Sequence, residues 1–168
     1  GVGFAPSFVW IKERTSTSDH MLFDQPRGVQ KYISSNLTNA EQTSAGMLTS
    51  FDSDGFSLGS GNDTNDNGQT YVSWNWKGNG AGSSNSDGSI TSTVSANTTA
   101  GISIVTGTQN ASGSWTVGHG LGVVPSFYMV KTTGATSDWY LWHRSLGGAT
   151  DGGKFLRLNN VAVSPAND

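Results

Sequence analysis

Two carboxylates, Asp19 and Asp24, flank a short apolar run of the sequence, and Arg27 follows closely. A pair of carboxylates held in a groove could supply the general acid and base of a glycosidase. A second copy of this segment carries Asp138 in place of Asp19, but His143 in place of Asp24. Because one acid is replaced and Asp19 lies in a turn-forming run, the favoured interpretation is structural. It is a turn capped by an Asp side chain, with an ion pair at a sheet edge.

Tryptophan side chains could bind sugars, because an aromatic face matches the apolar C–H face of a sugar ring. The alternative is that they fill a sandwich core, where aromatic residues carry much of the buried area. Strand alternation favours the core for Trp74 and Trp76, whereas Trp115 and Trp139 lie beside Gly, Ser and Asp turns and are the better candidates for exposure. The predicted ligand-binding residues are Trp115, Trp139, Asp19 and Asp138.

The polar segment 62–68 is the candidate cation site. Asp63, Asp66 and Asn67 could supply the oxygen ligands that Ca²⁺ requires. The EF-hand spacing is not met, since no Glu stands at the twelfth position. A solvated hairpin loop is therefore the favoured interpretation, and calcium is the first ion to test.

The remaining residue types do not indicate an enzyme. His20, His119 and His143 are scattered and form no metal-binding spacing. The Gly-rich run 118–122 lacks the last Gly of a dinucleotide fingerprint and precedes a strand. No Cys nucleophile is present. We expect no catalytic residue and no cofactor other than the calcium considered above.

The elements that must position these residues are strands. Short runs rich in aromatic and β-branched residues alternate with clusters of Gly, Asn, Asp and Ser, which is typical of strands and turns. Asp54-Gly55 between two such runs indicates a tight hairpin turn, and the one expected helical turn lies within 38–45. The predicted strands are 7–12, 20–24, 30–35, 47–51, 55–59, 70–77, 89–95, 101–106, 114–118, 126–131, 139–143 and 153–158.

Composition narrows the class of protein. The chain has 168 residues, a net charge of -3 and a charged fraction of 12%. The absence of a basic stripe argues against a nucleic-acid partner, and no apolar run approaches the roughly 20 residues that span a bilayer. Disordered chains are poor in aromatic residues, so the six Trp and seven Phe indicate a folded core.

An internal repeat organises the chain. Residues 1–28 reappear without a gap at 120–147, and after a four-residue insertion Asn36 meets Asn159. Self-similarity at a fixed period of about 119 residues indicates a tandem array, so we expect the chain to be a fragment of a longer array. The two copies should form the same strand–loop–strand unit, with Phe8 and Phe127 equally buried.

The repeat defines the predicted domains. Residues 1–77 are the first unit, 78–88 a flexible linker rich in Gly, Ser and Asn, and 89–168 a set of strands that lead into a partial second unit. The second copy has no counterpart of the strand predicted at 70–77. We therefore expect residues 139–168 to pack against another subunit or against sequence missing from this chain. The apolar residues that would need such a partner include Phe155, Leu156 and Leu158.

Several phrases in a fixed order carry a resemblance to a known family. They include Phe4-Ala-Pro-Ser-Phe-Val-Trp-Ile-Lys12, Asp19-His-Met-Leu-Phe-Asp24, Leu48-Thr-Ser-Phe-Asp-Ser-Asp-Gly-Phe56 and Gly68-Gln-Thr-Tyr-Val-Ser-Trp74. The chain resembles a repeated, lectin-like module of tail-fibre-like and other virion-associated proteins of marine and environmental bacteriophages. The resemblance implies a jelly-roll (concanavalin-like) fold, a place on the virion surface or outside the cell, and copies of itself or other virion proteins as partners.

Pattern and resemblance together predict an all-β antiparallel β-sandwich of jelly-roll type with about one and a half repeat units. The predicted function is that of a non-enzymatic structural or adhesion module, which binds surfaces, including cell-surface glycans, through many weak contacts. Specificity would lie in the loops 13–19, 60–69 and 132–138. Two alternatives stay open. One is a secreted bacterial carbohydrate-binding module or adhesin, and the other is a polysaccharide depolymerase.

Overall fold

The computed structural model describes residues 1–110, 112–146, 154–160 and 163–164. The strands of the first half are β1 (Phe8–Glu13), β2 (Met21–Asp24), β3 (Lys31–Ser34), β4 (Gln42–Thr43), β5 (Leu48–Asp52), β6 (Gly55–Leu58) and β7 (Tyr71–Trp76). Those of the second half are β8 (Ser83–Asn85), β9 (Ser92–Asn97), β10 (Ile102–Gly107), β11 (Phe127–Val130), β12 (Tyr140–His143), β13 (Phe155–Arg157) and β14 (Val163–Ser164). One helical turn, α1 (Asn62–Asn65), and a 3-10 helix at Arg144–Leu146 complete the elements. Within these ranges no helix has the length and apolar character needed to cross a membrane.

The first sheet has the antiparallel order β4-β3-β2-β1-β7, and its central strands are covered on both faces. Its central strands are apolar on both sides, because successive side chains of a strand point to opposite faces. One face, here called the hairpin face, packs under the β5–β6 hairpin with Met47 and Leu48. It consists of Val9, Ile11, Met21 and Phe23. The other, here called the joint face, consists of Phe8, Trp10, Leu22 and Ile33.

The predicted hairpin is confirmed, although its turn lies one residue earlier than the predicted Asp54-Gly55. β5 pairs with β6 so that Asp52 opposes Gly55, which leaves Ser53 and Asp54 as a two-residue loop. Phe51, Phe56 and Leu58 of this hairpin pack against the buried cluster of the hairpin face. The first unit thus has a two-layer core in which a small hairpin lies on a larger sheet.

The segment 78–88 was predicted as a flexible linker, yet it contains β8, which pairs with β9 in a sheet of order β10-β9-β8. Its backbone is held by side chains of neighbouring strands. The N–H of Asn79 donates to Ser95 Oγ (2.8 Å), and that of Gly80 donates to Ser7 Oγ (3.1 Å). Glycine is required at Gly82, since φ is +80° and a Cβ atom would lie 2.6 Å from the Val94 carbonyl oxygen. The glycines here serve close packing as well as turns.

The fourth sheet, of order β11-β12-β13-β14, repeats the pairing of the first. The pair Phe8↔Asp24 recurs as Phe127↔His143, and each of the next three pairs along β1 and β2 recurs in β11 and β12 at the same spacing. The pair Leu22↔Ile33 likewise recurs as Leu141↔Leu156. The predicted common strand–loop–strand unit is therefore confirmed. The expected equal burial of the two Phe residues is wrong, since Phe8 packs in a core cluster and Phe127 is exposed.

The second unit packs on the joint face of the first. Trp139 forms a buried cluster with Leu22 and Ile33, which Met129 and Leu158 join. Loops add backbone contacts between the units. The Thr38 carbonyl accepts from the Ser137 N–H (2.9 Å) and from Lys131 Nζ (3.0 Å), and the Glu41 N–H donates to the Thr133 carbonyl (2.8 Å). Leu158, which was expected to need a partner outside the chain, is covered in part by the chain itself.

The all-β antiparallel sandwich predicted from the sequence is confirmed, while its jelly-roll topology stays a prediction. Three local predictions are wrong. The segment 62–68 is not a hairpin loop, because it contains α1 and because β6 pairs with β5 while β7 pairs with β1. The segment 38–45 contains β4 instead of a helical turn, because its backbone groups bind β3 and the second unit. The segment 114–118 forms a single bridge, Val117 with Gly88, instead of a strand.

Candidate binding site

An aromatic surface lies at the open edge of the first sheet. β7 is the edge strand, and it pairs with β1 so that Trp74 lies opposite Trp10 and Trp76 opposite Phe8. Both pairs of rings meet edge to face, at centroid distances of 5.9 Å and 5.2 Å. Trp74 is 45% exposed and Trp76 37% exposed. The two tryptophans are thus held in place from one side and open to solvent on the other.

The face of β7 that carries these rings was predicted to lie in the core, and that prediction is wrong. On the opposite face of β7, Tyr71 packs against the buried cluster under the hairpin. Val72, Trp74 and Trp76 therefore point to the joint face, where the second unit covers Leu22 and Ile33. Because β7 lies two strands away from Leu22, on the other side of β1, its tryptophans stay largely outside that contact.

Polar groups border the aromatic surface. Trp10 Nε1 donates to His20 Nδ1 (2.9 Å), and their rings meet edge to face. The pKa of His20 is lowered by burial and, second, by the positive charge of Lys12, while Asp19 acts in the opposite direction. A lowered pKa favours the neutral imidazole, whose unprotonated Nδ1 can accept the indole N–H. Lys12 Nζ donates to the carbonyls of Glu13 (2.6 Å) and Ser16 (3.2 Å).

Of the two tryptophans predicted to bind ligand, the structure exposes one. Trp115 is exposed and lies in the loop that follows β10. Trp139 is only 4% exposed, and its Nε1 donates to the Ser34 carbonyl (2.8 Å). The prediction of an exposed Trp139 is wrong, because the ring fills the contact between the two units. The equivalent residue of the first unit is His20. This difference between the two copies, within a match that has no gap, was the sequence signal that could have pointed to a separate role for Trp139.

Asp19 and Asp138, the other predicted ligand-binding residues, occupy equivalent positions and have equivalent partners. Asp19 Oδ1 accepts from Asn36 Nδ2 (2.7 Å), and Asp138 Oδ1 accepts from Asn159 Nδ2 (2.7 Å). Asp138 Oδ2 also lies 3.1 Å from Arg157 Nε. These contacts bind the start of one strand to the end of another and give both carboxylates a structural role.

Asp24 and Arg27 form a capped turn and an ion pair as predicted, although the pair lies at the end of the inner strand β2 and not at a sheet edge. The N–H of Arg27 donates to Asp24 Oδ1 (2.9 Å), and its Nε donates to Oδ2 (2.6 Å). The guanidinium also binds Glu41 Oε2 (3.3 Å) and the Leu22 carbonyl (3.0 Å). Both side chains are buried, with 7% and 6% of the Arg27 and Asp24 side chains exposed, so the pair holds the end of β2 in place.

The candidate cation residues lie around α1. Asp63 is in the helical turn, and Asp66 ends it, with its backbone N–H donating to Tyr71 Oη (2.8 Å) and its Oδ1 accepting from the Asn67 N–H (2.8 Å). The pKa of Asp63 is raised by burial and then by the nearby carboxylates of Asp19 and Glu13. In the part of the chain that the structure describes, no three His, Cys, Asp or Glu side chains are grouped closely enough to hold a metal ion. A calcium site at Asp63, Asp66 and Asn67 stays a prediction.

Comparison with known proteins gives a family and no activity. Neither the curated proteins nor the solved structures contain a match to this chain. One family model matches residues 1–167, which is nearly the whole sequence, and so covers both repeat units. The chain therefore belongs to the family described as "Domain of unknown function (DUF7483)".

Proposed function

We propose that the chain is a non-enzymatic structural and adhesion module, carried on the virion surface or tail fibre of a bacteriophage, that binds glycan surfaces through exposed aromatic side chains. The observation that carries the proposal is the pair Trp74 and Trp76 on an edge strand, exposed yet fixed by ring contacts to Trp10 and Phe8. Large exposed apolar side chains in such a cluster are typical of interaction sites. Fixed rings also lose little conformational freedom on binding.

The chemistry of this surface fits a sugar better than a charged partner. Two indole rings on alternate residues of a strand are separated by about 6.6 Å along the strand, and each can stack on the apolar face of a sugar ring. The charged fraction of the chain is only 12%, so long-range attraction to an ionic partner would be weak. His20 and Lys12 lie at the border of the surface, where hydroxyl groups of a glycan could meet them.

The arrangement of the two units supports the structural part of the proposal. Loop hydrogen bonds and the Trp139 cluster fix one unit on the next, as a structural array requires. An array presents many copies of a shallow site. Once one site is bound, further contacts are effectively intramolecular, and avidity can exceed the affinity of a single site by about 10² to 10⁴. The virion as the setting rests on the resemblance described in the sequence analysis.

The carboxylates that could serve a glycosidase have structural partners, which supports a non-enzymatic function. Asp24 is bound by Arg27 and Asp19 by Asn36. Incubation of the chain with bacterial and algal polysaccharides should therefore release no new reducing ends. Turnover that is lost in Asp24→Asn would contradict this part of the proposal.

The binding part is tested with the chain displayed in many copies, for example as a biotinylated protein on streptavidin, against an array of bacterial surface glycans. The double variant Trp74→Ala, Trp76→Ala should lose binding, while Tyr128→Ala, which removes an exposed ring from the other unit, should keep it. Trp115→Ala is measured in parallel. Binding that depends on Trp115 but survives the double variant would move the site to the loop after β10 and refute the proposed surface.

A further inference from the structure

The fourth sheet exposes a face that is buried in the first sheet. The repeat places Tyr128, Val130, Tyr140 and Trp142 where the hairpin face has Val9, Ile11, Met21 and Phe23. These four residues are here called the open face. Every one of them is apolar or aromatic, as its counterpart is. Val9, Ile11 and Met21 are at most 2% exposed, whereas Tyr128, Val130 and Tyr140 are 45%, 46% and 39% exposed.

The aromatic rings of the open face contact one another. Tyr128 stacks on Trp142 at 5.2 Å, and Tyr140 meets Phe155 edge to face at 5.2 Å. Phe155 stands at the position of Tyr32, whose ring contacts Phe23 in the first unit. The second unit therefore keeps large apolar side chains at positions that are exposed to solvent. An exposed apolar cluster of this kind marks an interaction surface.

The first unit shows what such a face binds. There the β5–β6 hairpin lies on it, with Leu48 fully buried and with Phe51, Phe56 and Leu58 packed against the cluster.

We propose that the open face is a docking face for a β-hairpin of the type that β5 and β6 form, with large apolar residues at the positions of Leu48, Phe51, Phe56 and Leu58. Docking would give the second unit the same two-layer core as the first, joined to it through the established Trp139 contact. This inference is independent of the glycan proposal, since it concerns a different sheet and a different ligand. Its test uses no sugar.

The test adds the hairpin to the whole chain. A copy of residues 46–59 is appended after residue 168 through a flexible Gly/Ser linker, and hydrogen exchange is followed by mass spectrometry. Amides of β11 and β12 should exchange severalfold more slowly than in the unmodified chain, and Tyr128 and Tyr140 should become resistant to nitration. The same hairpin carrying Phe51→Ser and Phe56→Ser is the matched control and should give neither effect.

A substitution in the sheet separates docking from a general effect of the added segment. Val130→Lys changes a half-exposed residue, so the unmodified chain should still fold, but it should abolish the protection given by the appended hairpin. The proposal is overturned if the native hairpin gives no protection, or if the control hairpin protects equally well. It is also overturned if the unmodified chain sediments as a dimer that Val130→Lys converts to a monomer, because a second copy would then be the occupant.

Discussion

Asn36 and Asn159 make the same two hydrogen bonds in the two repeat units. Asn36 Oδ1 accepts from the backbone N–H of His20 (3.0 Å) while its Nδ2 donates to Asp19 (2.7 Å). Asn159 Oδ1 accepts from the N–H of Trp139 (2.8 Å) while its Nδ2 donates to Asp138 (2.7 Å). Each Asn lies just after one strand, and its side-chain amide therefore fixes the residues that lead into the neighbouring strand. This contact is kept even though the residue it positions changes from His20 to Trp139.

Replacing either amide by a carboxylate should destabilise the protein. In Asn159→Asp the side chain can still accept from the Trp139 N–H, but it places an acceptor beside Asp138 where a donor was. The lost hydrogen bond and the repulsion should cost about 1–3 kcal/mol at neutral pH, with a smaller loss when acid protonates the carboxylates. Urea unfolding of Asn159→Asp and Asn36→Asp measures both changes. Wild-type stability in both variants would show that these hydrogen bonds do not stabilise the fold.

Trp139 should be the most sensitive residue of the contact between units. Its side chain is buried against Leu22 and Ile33, so Trp139→Ala should lower the free energy of unfolding by about 3–5 kcal/mol. Trp115→Ala, which removes an exposed ring, should stay within about 0.5 kcal/mol of wild type. Equal losses of stability in the two variants would show that the Trp139 contact does not stabilise the fold more than an exposed ring does.

The buried ion pair should be sensitive to loss of one partner. Arg27→Met leaves the Asp24 carboxylate buried without its cation, and it also removes the bond to the Leu22 carbonyl. Breaking a buried pair in this way costs about 3–5 kcal/mol. Arg14→Met, at an exposed position, is the matched control and should be nearly neutral. Thermal unfolding of both variants at one pH makes the comparison. An Arg27→Met variant that is as stable as the wild type would contradict the structural role given to the pair.

His20 should make stability depend on pH. Its pKa is lower in the folded protein than the ordinary 6.5, first because of burial and second because of Lys12. Below about pH 6.5 the unfolded chain therefore binds more protons than the folded one, and the stabilising contribution of neutral His20 is lost as the pH falls through the folded pKa. His20→Gln should remove this part of the pH dependence. An NMR titration of the His20 imidazole with a midpoint above the ordinary value would contradict the account.

The repeat and the strand pattern could be predicted because they depend on local order in the sequence. A gapless match keeps the period of two in β1 and β11, so the register of the fourth sheet follows from that of the first. The side of β7 on which Trp74 and Trp76 lie could not be predicted in this way. Alternation shows that Val72, Trp74 and Trp76 share a face, but the neighbouring layer decides whether that face is buried.

The same limit applies to Trp139 and to the segments around it. A tryptophan beside polar turn residues looks exposed, yet this one is buried because the second unit packs on the first. The segment 38–45 has helix-compatible residues, but its backbone binds Thr133 and Gln30 instead. In both cases contacts between residues far apart in sequence override the local preference.

The glycan-binding surface is the central claim, and binding of the multivalent chain to intact bacterial surface polysaccharide tests it most directly. Wild-type chain on streptavidin should be retained, and the double variant Trp74→Ala, Trp76→Ala should lose most of that retention while still unfolding cooperatively in urea, at a midpoint lowered by the lost ring contacts to Trp10 and Phe8. Loss of binding by the folded double variant would place the contact at these two rings. Full retention by the folded double variant would contradict the account.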